Sequence, residues 1–403
     1  MKILIVTQYF WPESFRINDL AVELKERGHE VEVLTGKPNY PKGDFYKGYS
    51  FFGKRNDEYK GVKVHRVPIL PRGKGGSIRL ALNYLSFVFS ASLFIFMKRE
   101  KYDVTFTFAI SPITAVFPAI LHKKLKRSKC HLWVQDLWPE SVSAASSFKS
   151  GYILNQLEDM VKYIYDKVDM IHISSSGFRR SIEDKGDYRS KLLYLPNWAE
   201  DVYLNTSIIS NDKYQKIIPK GFIVMFAGNI GEAQDFESIL NAAELTRSNS
   251  DIKWVIVGDG RKREWVESEV NRRSLQNTVV LLGRYPVEEM PNMFVHADLM
   301  LMTLKDEEIF ALTLPSKIQS YMAFGKPIAS MMNGEGNNVI KDANCGYIAP
   351  ASDYRTLAKN IIKAYNENPE ALLKMGENGR KFYSEYFNKS RVIDNLLESF
   401  SLN

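Results

Sequence analysis

A chain of 403 residues is longer than one hydrophobic core usually serves, and this length predicts two domains of about 200 residues each. With 45% hydrophobic and 25% charged residues, the composition is that of a globular protein and excludes a disordered chain. The net charge of +7 favours an anionic partner, which could be a nucleic acid, an anionic membrane surface or a small anionic substrate. The sequence has no Cys/His finger, RNP-type run or long basic block, so nucleic acid ranks last.

The cysteines and histidines give no sign of a metal site or a disulfide framework. Cys130 and Cys345 are far apart in the chain, and neither belongs to a Cys-x-x-Cys motif. No Asp-x-Asp motif occurs, which argues against a carboxylate cradle for a metal-bound nucleotide. The segment Met1–Val6 runs into a strand and has no small-residue cleavage site, so we expect a reduced, cytosolic location.

The first elements predict a doubly wound α/β domain. Lys2–Thr7 is a continuous apolar run, which is typical of a strand that is buried on both faces. A loop leads to an apolar-periodic helix over Asn18–Arg27, and His29–Leu34 is the next strand. Further strands of this half are predicted at Lys60–Pro68, Tyr102–Phe108, Cys130–Gln135, Met170–Ser174 and Lys191–Leu195, with helices at Ser111–His122 and Leu154–Val168.

The loop Gly36–Tyr49 interleaves aromatic side chains with lysines. Long loops in compact domains are often functional, and this composition suits a sugar or an anionic lipid headgroup. A solvated surface excursion is the alternative.

The apolar stretch Ile78–Met97 just reaches the length of a bilayer span, and basic residues flank it. Because it contains Arg79, Asn83 and several serines, we expect a helix packed on the sheet. A helix lying with one face on a membrane surface is the second interpretation, and a transmembrane span is the third.

Two carboxylates follow the strand at Cys130–Gln135. Ligands of open α/β sheets lie outside the carboxyl ends of the strands, so Asp136 and Glu140 are candidate site residues. The alternative for Asp136 is an N-cap of the following helix.

After a linker at 201–220, a second α/β half begins. Its strands are predicted at Phe222–Phe226, Ile252–Val257, Val279–Leu281, Leu299–Leu304 and Pro327–Met331, and its helices at Phe236–Arg247, Lys262–Ser274 and Val287–His296. Three glycine-bearing turns follow strands of this half: Gly228–Gly231, Gly258–Gly260 and Gly334–Gly336. Glycines there allow a backbone to approach a nucleotide and expose its amides to phosphate.

The segment Phe310–Pro327 predicts a short helix with a defined start. Pro315 precedes Ser316 and Lys317, and Gly325 ends the apolar-periodic part. A helix N-terminus offers unpaired N–H groups and a partial positive charge, so it can hold a phosphate. Lys317 in the first turn opposes the helix dipole, which favours an anion at this position; a solvated lysine is the alternative. With neither Gly-x-Gly-x-x-Gly after the first strand nor a Walker loop, an NAD site or an ATPase is poorly supported.

In the order of these pieces, the chain resembles the retaining GT-B glycosyltransferases of family 4. Within that family it is most similar to the WbuB-type amino-sugar (FucNAc) transferases of capsule and O-antigen synthesis. The motifs that carry the resemblance keep the family's order over nearly the whole length: Gln8–Glu13, Pro38–Pro41, Gln135–Ser141, Pro196–Asn197, Gly228–Gln234, Val257–Gly260 and Leu314–Pro327.

This resemblance implies an α/β fold of two facing Rossmann-like domains with a cleft between them. Residues 1–200 would form the acceptor-binding domain, 201–220 a linker, 221–385 the domain that binds the nucleotide sugar, and 386–403 a helix that returns to the first domain. The implied reaction moves a sugar from a UDP-sugar to a polyprenyl-diphosphate-linked acceptor. It uses no cofactor and no metal, and it takes place at the inner face of the cell membrane, with no nucleic acid as partner.

The chain departs from the family at the donor site. Where many relatives carry an Arg and a Lys that clamp the diphosphate, this chain has Asn229 and Gln234. Where many carry two glutamates, it has Leu312 and Ser320. The diphosphate clamp is therefore expected to rest on Lys317 and on backbone amides.

The resemblance and the patterns together give the candidate site residues. The catalytic candidates are Asp136, Lys317 and Glu13. The donor-binding candidates are Gly228, Asn229, Gly231, Gln234, Gly258, Asp259, Gly260, Leu314, Pro315, Ser316, Lys317 and Ser320. The acceptor-binding candidates are Trp11, Arg16, Asn39, Tyr40, Trp138 and Glu140. The alternative functions are a UDP-sugar epimerase on the same fold and a non-catalytic partner that binds a nucleotide sugar.

Overall fold

The computed structural model describes residues 1–73, 76–145, 151–204 and 212–402. The chain divides into two compact units. Unit 1 comprises Met1–Pro196 and Ile393–Asn403, and unit 2 comprises Asn197–Val392. Residues 205–211 of the predicted linker lie outside the described residues, whereas Tyr203 and Tyr214 on either side of them are buried.

Unit 1 is built on a sheet of eight described strands. They are β1 (Lys2–Val6), β2 (Glu30–Gly36), β3 (Asn56–Tyr59), β4 (Val62–Val67), β5 (Val104–Ala109), β6 (Lys129–Val134), β7 (Met170–Ile173) and β8 (Leu192–Tyr194). Their order in the sheet is β3-β4-β2-β1-β5-β6-β7-β8. Neighbours pair in parallel except β3 with β4, which is antiparallel.

Continuous apolar runs explain the central strands, because helices cover both faces of a parallel sheet. In β1, all residues from Ile3 to Val6 are fully buried. The helices of this unit are α1 (Arg16–Glu26), α2 (Ser77–Met97), α3 (Phe117–Lys126), α4 (Glu140–Ala145), α5 (Gly151–Lys167) and α6 (Phe178–Glu183). The prediction of a parallel α/β domain is therefore confirmed.

Unit 2 has a second parallel sheet, whose described strands number six. They are β9 (Phe222–Ala227), β10 (Ile252–Val257), β11 (Val279–Gly283), β12 (Leu299–Thr303), β13 (Ile328–Met331) and β14 (Gly346–Ala349). Their order is β11-β10-β9-β12-β13-β14, and each pair is parallel. Successive residues of β9, Val224 and Met225, belong to two different hydrophobic clusters, so the sheet carries a core on each face.

The helices of unit 2 follow its strands and cover this sheet. They are α7 (Asp212–Gln215), α8 (Phe236–Thr246), α9 (Arg263–Arg272), α10 (Met290–Phe294), α11 (Glu308–Leu312), α12 (Ser316–Phe324), α13 (Glu335–Asp342), α14 (Tyr354–Tyr365) and α15 (Pro369–Tyr386). A last helix, α16 (Lys389–Ser401), starts in unit 2 and ends in unit 1. There, Phe400 packs edge-on against His131, and Lys129 donates to the carbonyl of Phe400 at 3.1 Å.

Three sequence predictions differ from the structure. Lys60–Pro68 was expected to be one strand, but Lys60 and Gly61 adopt positive φ angles and turn the chain between β3 and β4. The helix expected from Ser111 begins as a 3-10 turn at Ile113 and becomes an α-helix only at Phe117. The glycine-bearing turn expected at Gly334–Gly336 is instead the start of α13, because Gly334 takes φ +73° and the helix follows at once.

Buried contacts fix α12 against the end of β9. The hydroxyl of Tyr321 donates to the carbonyl of Ala227 at 3.2 Å and accepts from its N–H at 3.3 Å. At the other end of the helix, Arg380 of α15 donates to the carbonyl of Phe324 at 2.8 Å. A Cβ at Gly376 would overlap the carbonyl of Gly325, so only glycine lets α15 come this close. The start of α12 is thereby held next to the residues that follow β9.

A buried carboxylate holds the C-terminal end of α2 on the sheet of unit 1. The Oε2 atom of Glu32 accepts hydrogen bonds from Lys98 at 2.5 Å and from Tyr102 at 2.7 Å, and lies 2.7 Å from Nε2 of His65. Burial alone would raise the pKa of Glu32, but the hydrogen bonds from Lys98, Tyr102 and His65 outweigh it and lower the pKa to about 2.

We expect Glu32→Gln to lower the free energy of unfolding of unit 1 by about 1–3 kcal/mol at pH 7, because the variant removes a charged partner of several buried donors. Since the folded-state pKa lies below the usual glutamate value of 4.5, this stability is present above about pH 4.5 and is lost as the pH falls towards 2. Urea unfolding followed by circular dichroism at pH 7 and pH 4 measures both effects. As a control on the same strand, Glu30→Gln removes an ion pair whose carboxylate is more than half exposed, and should change stability by less than about 0.5 kcal/mol. Equal losses in the two variants would contradict the role of Glu32.

Candidate functional site

In unit 2, the turns after β9 and β10 are in direct backbone contact. Gly228 donates to the carbonyl of Val257 at 2.8 Å, and Ile230 donates to that of Asp259 at 2.9 Å. Gly258 has φ +151°, and a Cβ there would overlap the carbonyl of Gly228. Gly258 is therefore required by this geometry, and the two turns place backbone amides at the carboxyl edge of the sheet, beside the exposed side chains of Asn229 and Asp259.

The side chain of Lys317 occupies the space that Gly228 leaves open. Gly228 has φ +140°, and a Cβ there would overlap Cε and Nζ of Lys317. The Nζ atom lies 4.1 Å from the centre of the Phe226 ring, which is a cation–π contact. Although part of the residue is exposed, Nζ itself is buried and has no hydrogen-bond partner among the described residues.

The Lys317 amine has a lowered pKa. Burial moves it from 10.5 to about 7, because the charged form loses hydration and gains no carboxylate in return. An anion placed beside this amine would supply the missing partner and raise the pKa again. The arrangement can therefore bind an anion more strongly than a solvated lysine could.

The N-terminus of α12 adds to this anion site. Pro315 is the N-cap residue and the first turn has no side-chain cap, so no side chain of the cap residue satisfies its N–H groups. Leu314 is buried in the core of unit 2, and Ser316 is exposed. One turn further on, the hydroxyl of Ser320 donates to Oε2 of Glu200 at 3.2 Å.

The remaining donor-site candidates lie on the same two turns. The side chain of Gln234 accepts from the N–H of Gly231 at 3.1 Å, so its carbonyl oxygen holds the turn. Asn229 is exposed and its Oδ1 lies in the space above Gly260. Asp259 is exposed and accepts from the N–H of Gly260 at 2.8 Å. Asn229 and Gln234 are neutral, so the described candidates leave Lys317 as the cation that lies against the Gly228 turn.

We expect the amine of Lys317 to titrate near pH 7 in the free protein, and at a higher pH when inorganic pyrophosphate is bound. The chemical shift of its ε-methylene carbon, assigned with the Lys317→Arg variant, measures the midpoint. Sodium chloride at equal ionic strength is the control and should leave the midpoint where it was. A midpoint near 10.5 without ligand would show that the amine is solvated.

In unit 1, candidate residues also gather where neighbouring strands end. Tyr9 follows β1, Asn39 follows β2, Ser111 follows β5 and Asp136 follows β6, and these strands are neighbours in the sheet. The carboxyl edge of this sheet is therefore the candidate site of unit 1.

Asp136 is partly buried beside Ser111. Burial raises the pKa of Asp136 to about 6, although a hydrogen bond from the Ser111 hydroxyl favours the charged form. The indole N–H of Trp138 donates to the same hydroxyl at 3.1 Å, so this oxygen is held from two sides. An aspartate with a pKa near 6 can bind or accept a proton close to neutral pH.

Glu13 joins two loops instead of projecting into open space. Its Oε1 accepts from the N–H of Asn39 at 2.8 Å and from that of Tyr40 at 2.7 Å, while its Oε2 accepts from Phe10 at 3.2 Å. Burial raises the pKa of Glu13 to about 7 against the effect of these three amides. Both oxygens are engaged by the backbone, which makes Glu13 a positioning residue for the loops on either side of it.

The acceptor-site candidates of the first two loops have distinct surroundings. Trp11 stacks on Tyr59 with ring centres 5.3 Å apart, and Arg16 is the first residue of α1. Asn39 is buried and accepts from the N–H of Arg72 at 3.1 Å. Tyr40 is 39% exposed, which leaves its ring available for contact with a ligand.

Glu140 lies in an ion pair at the start of α4. Its Oε1 accepts from Ser181 at 2.6 Å and from Lys185 at 2.5 Å. Burial would raise the pKa of Glu140, but the hydrogen bonds from Lys185 and Ser181 lower it below its usual value. The oxygen that these bonds occupy serves to hold α4, so Glu140 is less suited than Asp136 to contact an acceptor.

Sequence reasoning missed Arg72, Tyr9, Tyr84 and Ser111. The guanidinium of Arg72 lies 5.1 Å from the centre of the Tyr40 ring and donates to the hydroxyl of Tyr9 at 3.1 Å. The Tyr84 ring lies 6.5 Å from that of Trp138. Ser111 could have been found, because it follows a predicted strand as Asp136 does; no sequence signal marks Arg72.

One acidic group of the described residues has the spacing of a metal site: Glu30, Glu32 and Glu100. Lys98 lies 2.5 Å from Glu32 and 3.1 Å from Glu100, and Lys2 lies 3.0 Å from Glu30. Since lysines already neutralise these carboxylates, the group is an ion-pair network and does not serve as a cation site.

Two family models together cover most of the chain. Residues 14–198 match the glycosyl transferase 4-like domain, and residues 209–382 match glycosyl transferases group 1. The two parallel Rossmann-like sheets agree with solved GT-B structures. The chain is therefore a glycosyltransferase of the GT-B fold, in which a GT4-like domain is followed by a group 1 domain.

The sequence identity between this chain and individual relatives is low. The chain is 25% identical over 340 residues to the colanic acid biosynthesis glycosyl transferase WcaI of Escherichia coli, covering 81% of this chain and 82% of the relative. It is 27% identical over 314 residues to the glycosyltransferase WbjE of Pseudomonas aeruginosa, with 75% and 74% covered. A crystal structure of HepE from Anabaena in complex with UDP has a TM-score of 0.73 at 15% identity and covers 100% of both chains. The WbuB-type amino-sugar (FucNAc) specificity stays a prediction.

Proposed function

We propose that this glycosyltransferase moves a sugar from a UDP-sugar to a polyprenyl-diphosphate-linked acceptor during the synthesis of a cell-surface polysaccharide. The transfer proceeds with retention of the anomeric configuration and without a metal ion. The donor sugar is an N-acetylated or 6-deoxy amino sugar such as FucNAc. The enzyme works in the cytoplasm, at the inner face of the cell membrane.

The observation that carries the donor assignment is the uncompensated amine of Lys317 against the Gly228 turn. A buried cation without a partner destabilises the free protein, and a diphosphate removes that cost on binding. The uncapped N-terminus of α12 lies in the same element and favours the same charge. HepE, whose structure contains UDP, shares the fold and supports this choice of nucleotide.

Charge develops on the diphosphate when the bond to the sugar breaks. In the proposed reaction, Lys317 and the first amides of α12 stabilise the leaving UDP, and the amides of the Gly228 turn assist. These groups are fixed before the substrate arrives, so little reorganisation is needed at the moment of transfer. They supply the positive potential that a divalent cation would otherwise supply.

The acceptor half of the proposal rests on unit 1. Asp136, with its pKa raised to about 6, contacts the acceptor hydroxyl and receives or shares its proton. Tyr40 and Trp11 offer aromatic faces to a saccharide, and Arg72 adds a cation beside the Tyr40 ring. The similarity to a colanic acid biosynthesis enzyme supports a saccharide acceptor of polysaccharide synthesis.

A direct test incubates the full chain with a panel of UDP-sugars, in EDTA, with and without a polyprenyl-diphosphate monosaccharide. The proposal expects a new glycolipid with one of the UDP-amino sugars, and NMR of the product gives the anomeric configuration. Epimerised UDP-sugar without acceptor would instead establish an epimerase, and binding without turnover would establish a non-catalytic partner. Product that forms only with added divalent cation would contradict the metal-free mechanism.

We expect Lys317→Met to reduce turnover by roughly 100- to 1000-fold, because the variant keeps the volume of the side chain and removes its charge. Affinity for UDP should fall as well. In the wild type, this affinity should weaken as the pH rises above about 7, since the free protein then loses the Lys317 proton that the diphosphate favours. Isothermal titration with UDP at several pH values measures the affinity of the variant and the pH dependence of the wild-type affinity.

The matched control for that variant is Lys363→Met, which removes an exposed lysine from α14. It should leave turnover and its pH dependence unchanged. A Lys317→Met enzyme with wild-type affinity and turnover would refute the assignment of the clamp.

We expect Asp136→Asn to lower kcat by roughly 100-fold with a smaller effect on KM, because the amide cannot accept the proton of the acceptor. The ionised carboxylate is present above its pKa, so wild-type kcat/KM should fall as the pH drops below about 6. That limb of the pH profile should be absent in the variant. Asp159→Asn, on the exposed face of α5, is the control. An unchanged pH profile in Asp136→Asn would contradict the proposed role.

A further inference from the structure

Helix α2 has two opposite faces, and both are apolar. Of the described helices, α2 is the one that is long and apolar enough to cross a membrane by length and composition. Its buried face consists of Asn83, Phe87, Ala91 and Ile95, spaced four residues apart. Helical geometry at 3.6 residues per turn puts such residues on one side of the helix, and they face the sheet of unit 1.

The opposite face of α2 is an exposed apolar strip. It consists of six side chains spaced three or four residues apart: Ile78, Leu82, Leu85, Phe89, Leu93 and Phe96. The rings of Phe89 and Phe96 are 72% and 71% exposed, and Ile78 is 79% exposed. At about 1.5 Å per residue, the strip is roughly 30 Å long. Soluble monomers rarely leave a continuous apolar surface of this kind uncovered.

The buried face is fixed to unit 1 and rules out a spanning position for α2. Asn83 accepts from the side chain of Gln8 at 2.6 Å and donates to the carbonyl of Leu70 at 2.5 Å. After the last turn, Lys98 is bound to Glu32. A helix held in this way on one side cannot be surrounded by lipid, but its free side can lie in the interfacial layer of a bilayer.

Charge around the strip selects an anionic surface. Exposed basic residues lie at both ends of the helix: Arg79 in its first turn, and Arg99 and Lys101 just after its last. The helix itself contains no acidic residue, and Glu100 is paired with Lys2 and Lys98. An apolar strip with cations at its ends matches the chemistry of an anionic lipid surface, where acyl chains lie beneath phosphate headgroups.

We infer that α2 is the membrane-binding element of this enzyme and lies in the plane of an anionic lipid surface with its Ile78–Phe96 strip inserted. The inference deepens the proposed function, since it names where unit 1 meets the layer that would carry a lipid-linked acceptor. Binding to lipid without any substrate is sufficient to test it, so its failure would leave the UDP assignment intact. Conversely, loss of the donor assignment would leave the strip and its basic ends unchanged.

The test is co-sedimentation of the full chain with vesicles. One set contains phosphatidylcholine with phosphatidylglycerol in equal amounts, and the other contains phosphatidylcholine alone. The full chain should bind the anionic vesicles, and binding should weaken in high salt and on the neutral vesicles. The double variant Phe89→Gln with Phe96→Gln should reduce the partition coefficient by about tenfold or more. Both residues are exposed and glutamine is a good helix former, so the fold should be preserved.

A matched control removes an equally exposed apolar side chain elsewhere. Leu373 on α15 of unit 2 is 68% exposed, and Leu373→Gln should bind vesicles as the wild type does. UDP affinity, which does not involve α2, confirms that each variant is folded. The inference is overturned if the wild type does not sediment with anionic vesicles, or if the double variant and the Leu373→Gln control bind equally. It is also overturned if the wild type is a dimer in solution that the double variant makes monomeric, because a second copy would then cover the strip.

Discussion

The buried amine of Lys317, which has no hydrogen-bond partner among the described residues, is the constraint on which the proposed donor site depends. Lys317 gains one cation–π contact in the free protein and loses its hydration, so the free state is less stable than it could be. Contacts on the rest of α12 hold this residue in place. Tyr321 fixes α12 to the last residue of β9, and Gly376 lets α15 pack against the end of the same helix. In the proposed reaction, the free energy gained when the diphosphate pairs with this amine contributes to catalysis.

Both units have their candidate site at the carboxyl edge of a parallel sheet, but backbone groups dominate the site of unit 2 and side chains that of unit 1. In unit 2, the backbones of Gly228 and Gly258 touch directly after β9 and β10, and Lys317 is the cation that lies against them in the candidate anion site. In unit 1, side chains hold the loops: Glu13 ties the first loop to the second, and Ser111 joins Asp136 to Trp138. A backbone site suits a diphosphate that is common to many donors. A site of side chains can change from enzyme to enzyme and so suits a variable acceptor.

Much of the fold could be predicted from the sequence, because buried parallel strands such as Ile3–Val6 read as continuous apolar runs. Lys317 could be singled out as a candidate anion-binding residue, because a cation at a helix start conflicts with the helix dipole. The role of Glu13 could not, because its partners are amides of a loop 26 residues further on. Nor could the two faces of α2 be told apart: with apolar residues on both sides, its periodicity does not say which side the sheet covers.

The path of the chain through the two units has a consequence for biosynthesis. The polypeptide leaves unit 1 at Pro196 and returns to it at Ile393, after all of unit 2 has been made. Phe400, which lies against His131 and Phe106, therefore emerges from the ribosome after all of unit 2. During translation, unit 2 can fold while unit 1 still lacks the C-terminal part of α16. Chaperones that protect nascent apolar surface would have the longest time to act on the half that was synthesised first.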